Sequence, residues 1–210
     1  MPHDLSPISA ILQDIGINMS FIVRRVLPNE YHKYTEHLLA LDEDSRYLRF
    51  GFNIKDETLL KLCEGFEKNH KQHVLFCIED YELNFIAIGH VAKGDEMELA
   101  FSVLKEYQHK GLGNKLMKRC IQYCRTRKIL KGCMVCLSHN KAIKHLCVKN
   151  GIHIHTEDGE TLADIELDSP GIDTYFNEQV SQNIGAIDYM GKRAKLPWTL
   201  ASKTLDNILK

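Results

Sequence analysis

Several features are missing from this 210-residue chain, and each absence excludes something. No apolar run approaches the ~18 residues of a membrane-spanning helix, so no membrane association is expected. Met1-Pro2-His3-Asp4 lacks the basic and apolar regions of a signal peptide, which sets the expectation of a cytoplasmic protein. There is no internal repeat and no low-complexity stretch, and disorder, collagen and coiled coil fail as whole-chain descriptions. Hydrophobic residues make up 44% and charged residues 26%, enough for one α/β domain with a small appendage. The seven cysteines are an odd number, and no second pair matches Cys133-x-x-Cys136. A zinc site needs about four ligands. Met134, Val135 and Leu137 instead make this segment a buried strand, where Cys is a small apolar residue, so no metal is expected.

Acidic residues are missing from one long stretch. Residues 107–156 hold 11 Lys and Arg and no Asp or Glu, whereas the remainder holds 16 basic and 28 acidic residues. The formal charge of -1 conceals this split, which indicates that one face meets a polyanion. No aromatic-rich basic motif of the RNA-binding kind is present, so nucleic acid ranks last among the polyanions.

Hydrophobic periodicity organises the rest. Ser6-Pro7 opens a helix carrying Ile8, Leu12 and Ile15. Residues 21–27 read as a strand, 29–41 as a helix, 42–45 as a turn and 56–68 as a second helix. Strands at 73–78, 84–92 and 96–104 suggest an antiparallel meander. A helix over 113–128 then leads to a strand at 133–137, the pattern of a parallel crossover. A helix over 140–150 follows, with Gly151 just past its end, and then a hairpin of 152–155 and 162–167 around Asp158-Gly159. The tail reads as two helices, one carrying Phe176, Val180, Ile184 and Ile187 and one over 200–209, separated by Pro197-Trp198.

The segment from Val103 to Leu116 is a strand end, a polar turn with two glycines and a helix start. Main-chain N–H groups at such a turn converge, and the helix dipole adds positive potential, which suits a phosphate. Lys110 and Lys115 add charge. A P-loop is excluded because the glycine order is wrong and no hydroxyl follows; a dinucleotide fingerprint is excluded because only two glycines are present, late in the chain.

Gln108-x-x-Gly111-x-Gly113, with Val103 eight residues before the first glycine, resembles the acyl-CoA signature of the GNAT family of N-acetyltransferases. A second block of that family begins with Asn at a strand end and closes with Gly-Phe; here it runs from Asn140 to Gly151-Ile152. The likeness covers residues 21–167 in element order and 97–152 in motif. It implies an α/β GNAT fold: a mixed, mostly antiparallel sheet splayed at a central parallel strand pair, helices on both faces, and a helical C-terminal extension. Residues 1–18 would be an N-terminal extension, 19–167 the acyltransferase domain and 168–210 the C-terminal extension. The cosubstrate implied is acetyl-CoA. Its pantetheine arm would bond main chain near Val103 and Leu104 and touch Asn140. Its diphosphate would be held by the amides of Gln108, His109, Lys110, Gly111, Leu112, Gly113 and Asn114.

Glu98 and the segment Ser45-Arg46-Tyr47-Leu48-Arg49-Phe50 are similar to the acetyltransferase domain of bacterial protein-lysine acetyltransferases, whose Glu at this place is the proposed base. Glu98 would share a strand face with Glu96, Ala100 and Ser102, half buried, and take the proton of an incoming ammonium. Many members carry a general-acid Tyr where this chain has Cys147, read here as a packed core thiol. His153 and His155 read as one face of an edge strand with no carboxylate beside them, and Arg125 to Lys128 as a solvated face that also suits the CoA 3′-phosphate. Trp198 is an anchor for the tail or a dimer contact. The resemblance implies an amine-bearing acceptor, a small molecule or a protein lysine. A non-catalytic acyl-CoA-binding regulatory module is the alternative.

Overall fold

The computed structural model describes residues 21–94, 96–157 and 160–208. In chain order these form β1 (Val23–Arg25), α1 (Tyr31–Leu39), α2 (Glu43–Phe50), α3 (Asp56–Lys68), β2 (His73–Glu79), β3 (Phe85–Lys93), β4 (Met97–Val103), α4 (Leu112–Thr126), β5 (Lys131–Leu137), α5 (Lys141–Lys149), β6 (His153–Glu157), β7 (Glu160–Glu166) and α6 (Ile172–Ile208). The strands make one sheet in the order β1-β2-β3-β4-β5-β7-β6. β2, β3 and β4 are the expected antiparallel meander, and α4 is the crossover that leaves β4 and β5 parallel.

β2 and β3 read as near-continuous apolar runs because both of their faces are covered. Val74, Phe76 and Ile78 pack with Leu116, Cys120 and Tyr123 of α4. Leu75 and Cys77 point the other way, into Tyr34 and Leu38 of α1 and Leu59 of α3. β5 alternates instead: Met134 and Cys136 are buried, whereas Val135, expected inside, is 47% exposed.

The sheet has one discontinuity. β4 and β5 are each seven residues long. They pair only at Met97↔Gly132 and Glu98↔Cys133, whereas β5 pairs with β7 along its whole length. The two central strands touch at one end and then part. Gly132 permits the contact: a Cβ there would lie 2.1 Å from Met97 Cγ.

Two expectations need correction. The turn at 42–45 is the start of α2: the Asp42 carboxylate accepts the Ser45 N–H at 3.2 Å, and Gly51 closes the helix at φ +80°. The tail is one 37-residue helix that continues through Pro197. The missing N–H of Pro197 removes one rung, from Arg193, without ending the helix. The helix expected after Ser6-Pro7 and the turn at Asp158-Gly159 lie outside the described residues, although β6 and β7 pair on either side of that turn. No helix among the described residues is long and apolar enough to cross a membrane.

α6 is turned inside out. Thr174, Glu178, Asp188 and Lys192 are its buried side chains among the described residues, whereas Ile172, Phe176, Val180, Ile187, Met190 and Trp198 are exposed. It is held by polar contacts. Glu178 pairs with Arg119 and Arg127 of the α4 region, and Lys192 Nζ reaches the Glu79 carbonyl at 3.1 Å and Asp188 at 2.8 Å. Trp198, 79% exposed, does not anchor the tail to the domain.

Candidate active site

The parting of β4 and β5 opens a fork just beyond Glu98, and a cavity of about 280 Å³ occupies it, lined among others by Arg49, Glu98, Phe101, Met134 and Asn140. Successive strand residues turn their N–H groups to opposite neighbours. The Leu104 N–H is donated to Ile86 O of β3 at 3.0 Å, so the main-chain groups of Val103 face the fork. Consistently, Val103 O accepts from Gln108 Nε2 at 3.3 Å. Of the two expected main-chain contacts, Val103 is therefore available and Leu104 is not.

Below the fork the chain makes a short 3-10 turn, Lys105–Tyr107, before entering α4. His109 and Gly111 adopt left-handed conformations at φ +60° and +77°, which bend the exposed loop around Lys110. The first helical bond runs from Lys115 N–H to Gly111 O, so the N–H groups at residues 112–114 form the open, positive end of a 15-residue helix. Gly113 has a different role: a Cβ there would sit 3.0 Å from Leu146 Cδ1, so the missing side chain lets α4 and α5 close up. The Gln108 N–H is used within the 3-10 turn, to Lys105 O at 3.2 Å, and its side chain bridges Val103 O and Ser45 Oγ, so Gln108 fixes the loop to β4 and α2.

Asn140 is buried and caps α5, its Oδ1 accepting the Ile143 N–H at 3.2 Å; this leaves its NH₂ as the group to offer the cavity it lines. Glu98 lines the same cavity and is exposed there rather than half buried. Next in sequence to the lining residues Leu48 and Asn140, the rings of Tyr47 and His139 stack at 6.2 Å.

This geometry coincides with a sequence match. The model of the acetyltransferase (GNAT) family matches residues 33–152. The chain belongs to the GNAT acetyltransferase family. Among solved structures, the GNAT domain of S. lividans PAT superposes with a TM-score of 0.60 at 19% identity, covering 69% of this chain and 89% of that one. PaiA N-acetyltransferase from Thermoplasma acidophilum, in complex with coenzyme A, gives 0.53 at 14% identity, covering 70% and 99%. The yncA protein of Salmonella typhimurium, with its cofactor acetyl-CoA, gives 0.53 at 15% identity, covering 72% and 96%. No curated protein matches the chain in sequence.

Within this GNAT fold, other singled-out residues are structural. Cys147 is fully buried, and burial pushes its thiol up to about 11, as befits a core thiol. Cys133 and Cys136 are three apart on a strand and so face opposite ways, and no metal-binding cluster exists among the described residues. β6 is the sheet edge, as expected for His153 and His155, but a carboxylate is present: His155 Nδ1 lies 3.2 Å from Asp164. Arg125 donates to Asp168 O at 3.1 Å and Ser169 O at 3.3 Å, and Arg127 pairs with Glu178. Part of the basic stretch thus holds the tail rather than an anion.

Sequence reasoning missed the surroundings of Glu98 on its other side. The sheet register places His73, Ala92 and Glu98 in one row across β2, β3 and β4, and Leu75, His90 and Ala100 in the next. Arg49 Nη2 donates to Tyr34 Oη at 3.2 Å; Tyr34 Oη and His90 Nδ1 are 3.4 Å apart; His90 Nε2 and His73 Nδ1 are 3.1 Å apart. Burial holds both histidines below the usual imidazole range, His90 furthest. The available signal was strand parity: His73, His90, Ala92 and Ala100 all fall on the face of Glu98 once the meander is paired.

Proposed function

We propose that this GNAT protein is an enzyme that transfers an acetyl group from acetyl-CoA to a primary amine, with residues 19–167 as the catalytic unit, 168–210 as an extension docked on it, and the cytoplasm as its place of action. The observation that carries this reading is the fork, which opens beyond Glu98 and above the open N-terminus of α4. The site suits the cosubstrate. The amides of the exposed loop His109 to Gly111 and the open N–H groups of residues 112–114, with Lys110 and Lys115, form a cationic cradle for a diphosphate. The Val103 N–H and the Asn140 NH₂ offer hydrogen bonds along an extended arm lying in the fork.

Acetyl-CoA supplies an acyl carbon already activated as a thioester. The chain's own residues hold, orient and deprotonate. Glu98, free of any ion pair within 4 Å among the described residues, takes a proton from the incoming ammonium directly or through a water. Holding both substrates at one fork makes the attack effectively unimolecular, so no acyl-enzyme and no nucleophilic Cys are needed. Cys147, buried with a raised thiol, does not supply the leaving-group proton. Its presence where a Tyr is usual is what favours the second reading, a CoA-binding regulator without turnover.

The test is calorimetric titration with acetyl-CoA, followed by thiol release with an amine panel. Micromolar binding with amine-dependent thiol release is expected. Absence of acetyl-CoA binding overturns the reading; binding with no thiol release from any amine leaves the regulator.

A further inference from the structure

A second cavity, of about 170 Å³, meets the first at Arg49, Phe50, Glu98 and Ala100. Its depth follows from the register. Ala92 and Ala100 lie beside Glu98 and His90 and lay a low floor between larger neighbours. Strands are spaced ~4.8 Å apart, so the backbones of His73 and Glu98 are ~10 Å apart with only a methyl group between their side chains. Leu62 and Phe66 of α3 close the cavity from above.

Its polar walls have a direction. An arginine only donates, so Tyr34 Oη accepts from Arg49 and turns its own proton to His90 Nδ1. His90 then holds its proton on Nε2 and donates it to His73 Nδ1, which leaves the His73 proton on Nε2. The wall built by Arg49 and His73 therefore presents donors, and Glu98 is the carboxylate opposite. Arg49 and Glu98 line both cavities but form no ion pair within 4 Å, and Arg49 meets no carboxylate among the described residues.

We infer that this second cavity is the acceptor subsite and that it takes a small amino carboxylate, its ammonium at Glu98 and its carboxylate at Arg49. The inference rests on the acetyl-transfer reading above and narrows it. A polyamine, or a lysine side chain within a protein, brings the cation for Glu98 but no anion for Arg49, which leaves the guanidinium without a partner, and the further cations of a polyamine are repelled by it. A zwitterion satisfies both groups, and its side chain lies against Leu62 and Phe66. In the reaction the acceptor nitrogen bonds to the acetyl carbon as the carbon–sulfur bond breaks. Of the two protons the ammonium loses, one passes to Glu98 and on to solvent, and the other ends on the CoA sulfur.

The test pairs each amino acid with the amine lacking its carboxylate: lysine with cadaverine, phenylalanine with phenethylamine, leucine with isoamylamine. A lysine peptide and spermidine complete the panel, with thiol release as the readout. For at least one pair the carboxylate-bearing member is expected to have a kcat/KM about 10- to 100-fold higher, the usual worth of one charged hydrogen-bonded contact. Arg49→Gln should bring that ratio close to one, with thermal stabilisation by acetyl-CoA verifying that the variant is folded. Preference for the decarboxylated amines, the peptide or spermidine, or a ratio untouched by Arg49→Gln, overturns the inference while acetyl transfer stands. If no acceptor of any class releases thiol, transfer itself fails and the inference fails with it.

Discussion

His37 ties helix α1 to the strand that carries Glu98, and it should make the fold acid-sensitive. Its Nδ1–H donates to Phe85 O at 2.7 Å and its Nε2 accepts from Ser102 Oγ at 2.8 Å, a pattern that only the neutral ring can make. Burial pushes its pKa down from 6.5 to about 4. The unfolded chain therefore takes up a proton near pH 6.5 that the folded chain refuses until about pH 4. Stability contributed by the neutral ring is complete above about pH 6.5 and is lost as the pH falls towards 4. Linkage with these two values gives a loss of about 1.8 kcal/mol between pH 7 and pH 5, approaching roughly 3 kcal/mol at lower pH. Urea unfolding of the wild type and of His37→Asn at both pH values isolates this contribution, because His73 and His90 are common to the two proteins. The variant starts less stable at pH 7, having lost the Ser102 bond, but should lose about 1.8 kcal/mol less on going to pH 5. Equal acid losses in the two proteins would refute the reasoning.

Three further outcomes are expected. Glu98→Gln should lower turnover about 10²- to 10⁴-fold while acetyl-CoA affinity, measured by calorimetry, stays within about twofold; undiminished turnover would remove Glu98 as the base. Gly111→Ala must hold φ +77° with a Cβ, so a stability loss of about 1–2 kcal/mol and weaker acetyl-CoA binding are expected; unchanged melting and affinity would contradict the assigned loop conformation. Cys147→Ala should leave the alkaline limb of the pH–rate profile where it is, and a shifted limb would assign that thiol a chemical role.

The elements with strong periodicity were legible. The crossover helix and the helix over Lys141–Lys149 carry apolar residues that recur at period 3.6, and β2 and β3 are apolar runs of strand length bounded by polar turns. α2 was not legible, because none of its residues is buried and its signals are a cap at Asp42 and a glycine at 51. Pro197 misled in the opposite sense: a breaker by propensity, it is tolerated in a long helix. The loop of Gln108 to Asn114 was legible because its residues are contiguous. The chamber beside Glu98 was not, since His73, Ala92 and Glu98 come from three strands and meet only through register. The acid-free stretch was read as one cofactor surface, yet Arg119 and Arg127 spend their charge on Glu178.

The inverted orientation of α6 separates two quantities that usually rise together in a folding protein. This helix supplies 37 of the 210 residues to the helical circular-dichroism signal. It buries chiefly polar and charged side chains against the domain and leaves its large apolar ones in water. Heat capacity and denaturant m-value follow the apolar area exposed on unfolding, so α6 adds little to either. Ellipticity therefore over-represents the tail relative to calorimetry. Release of α6 ahead of the core shows as a loss of far-ultraviolet signal with almost no accompanying heat-capacity step.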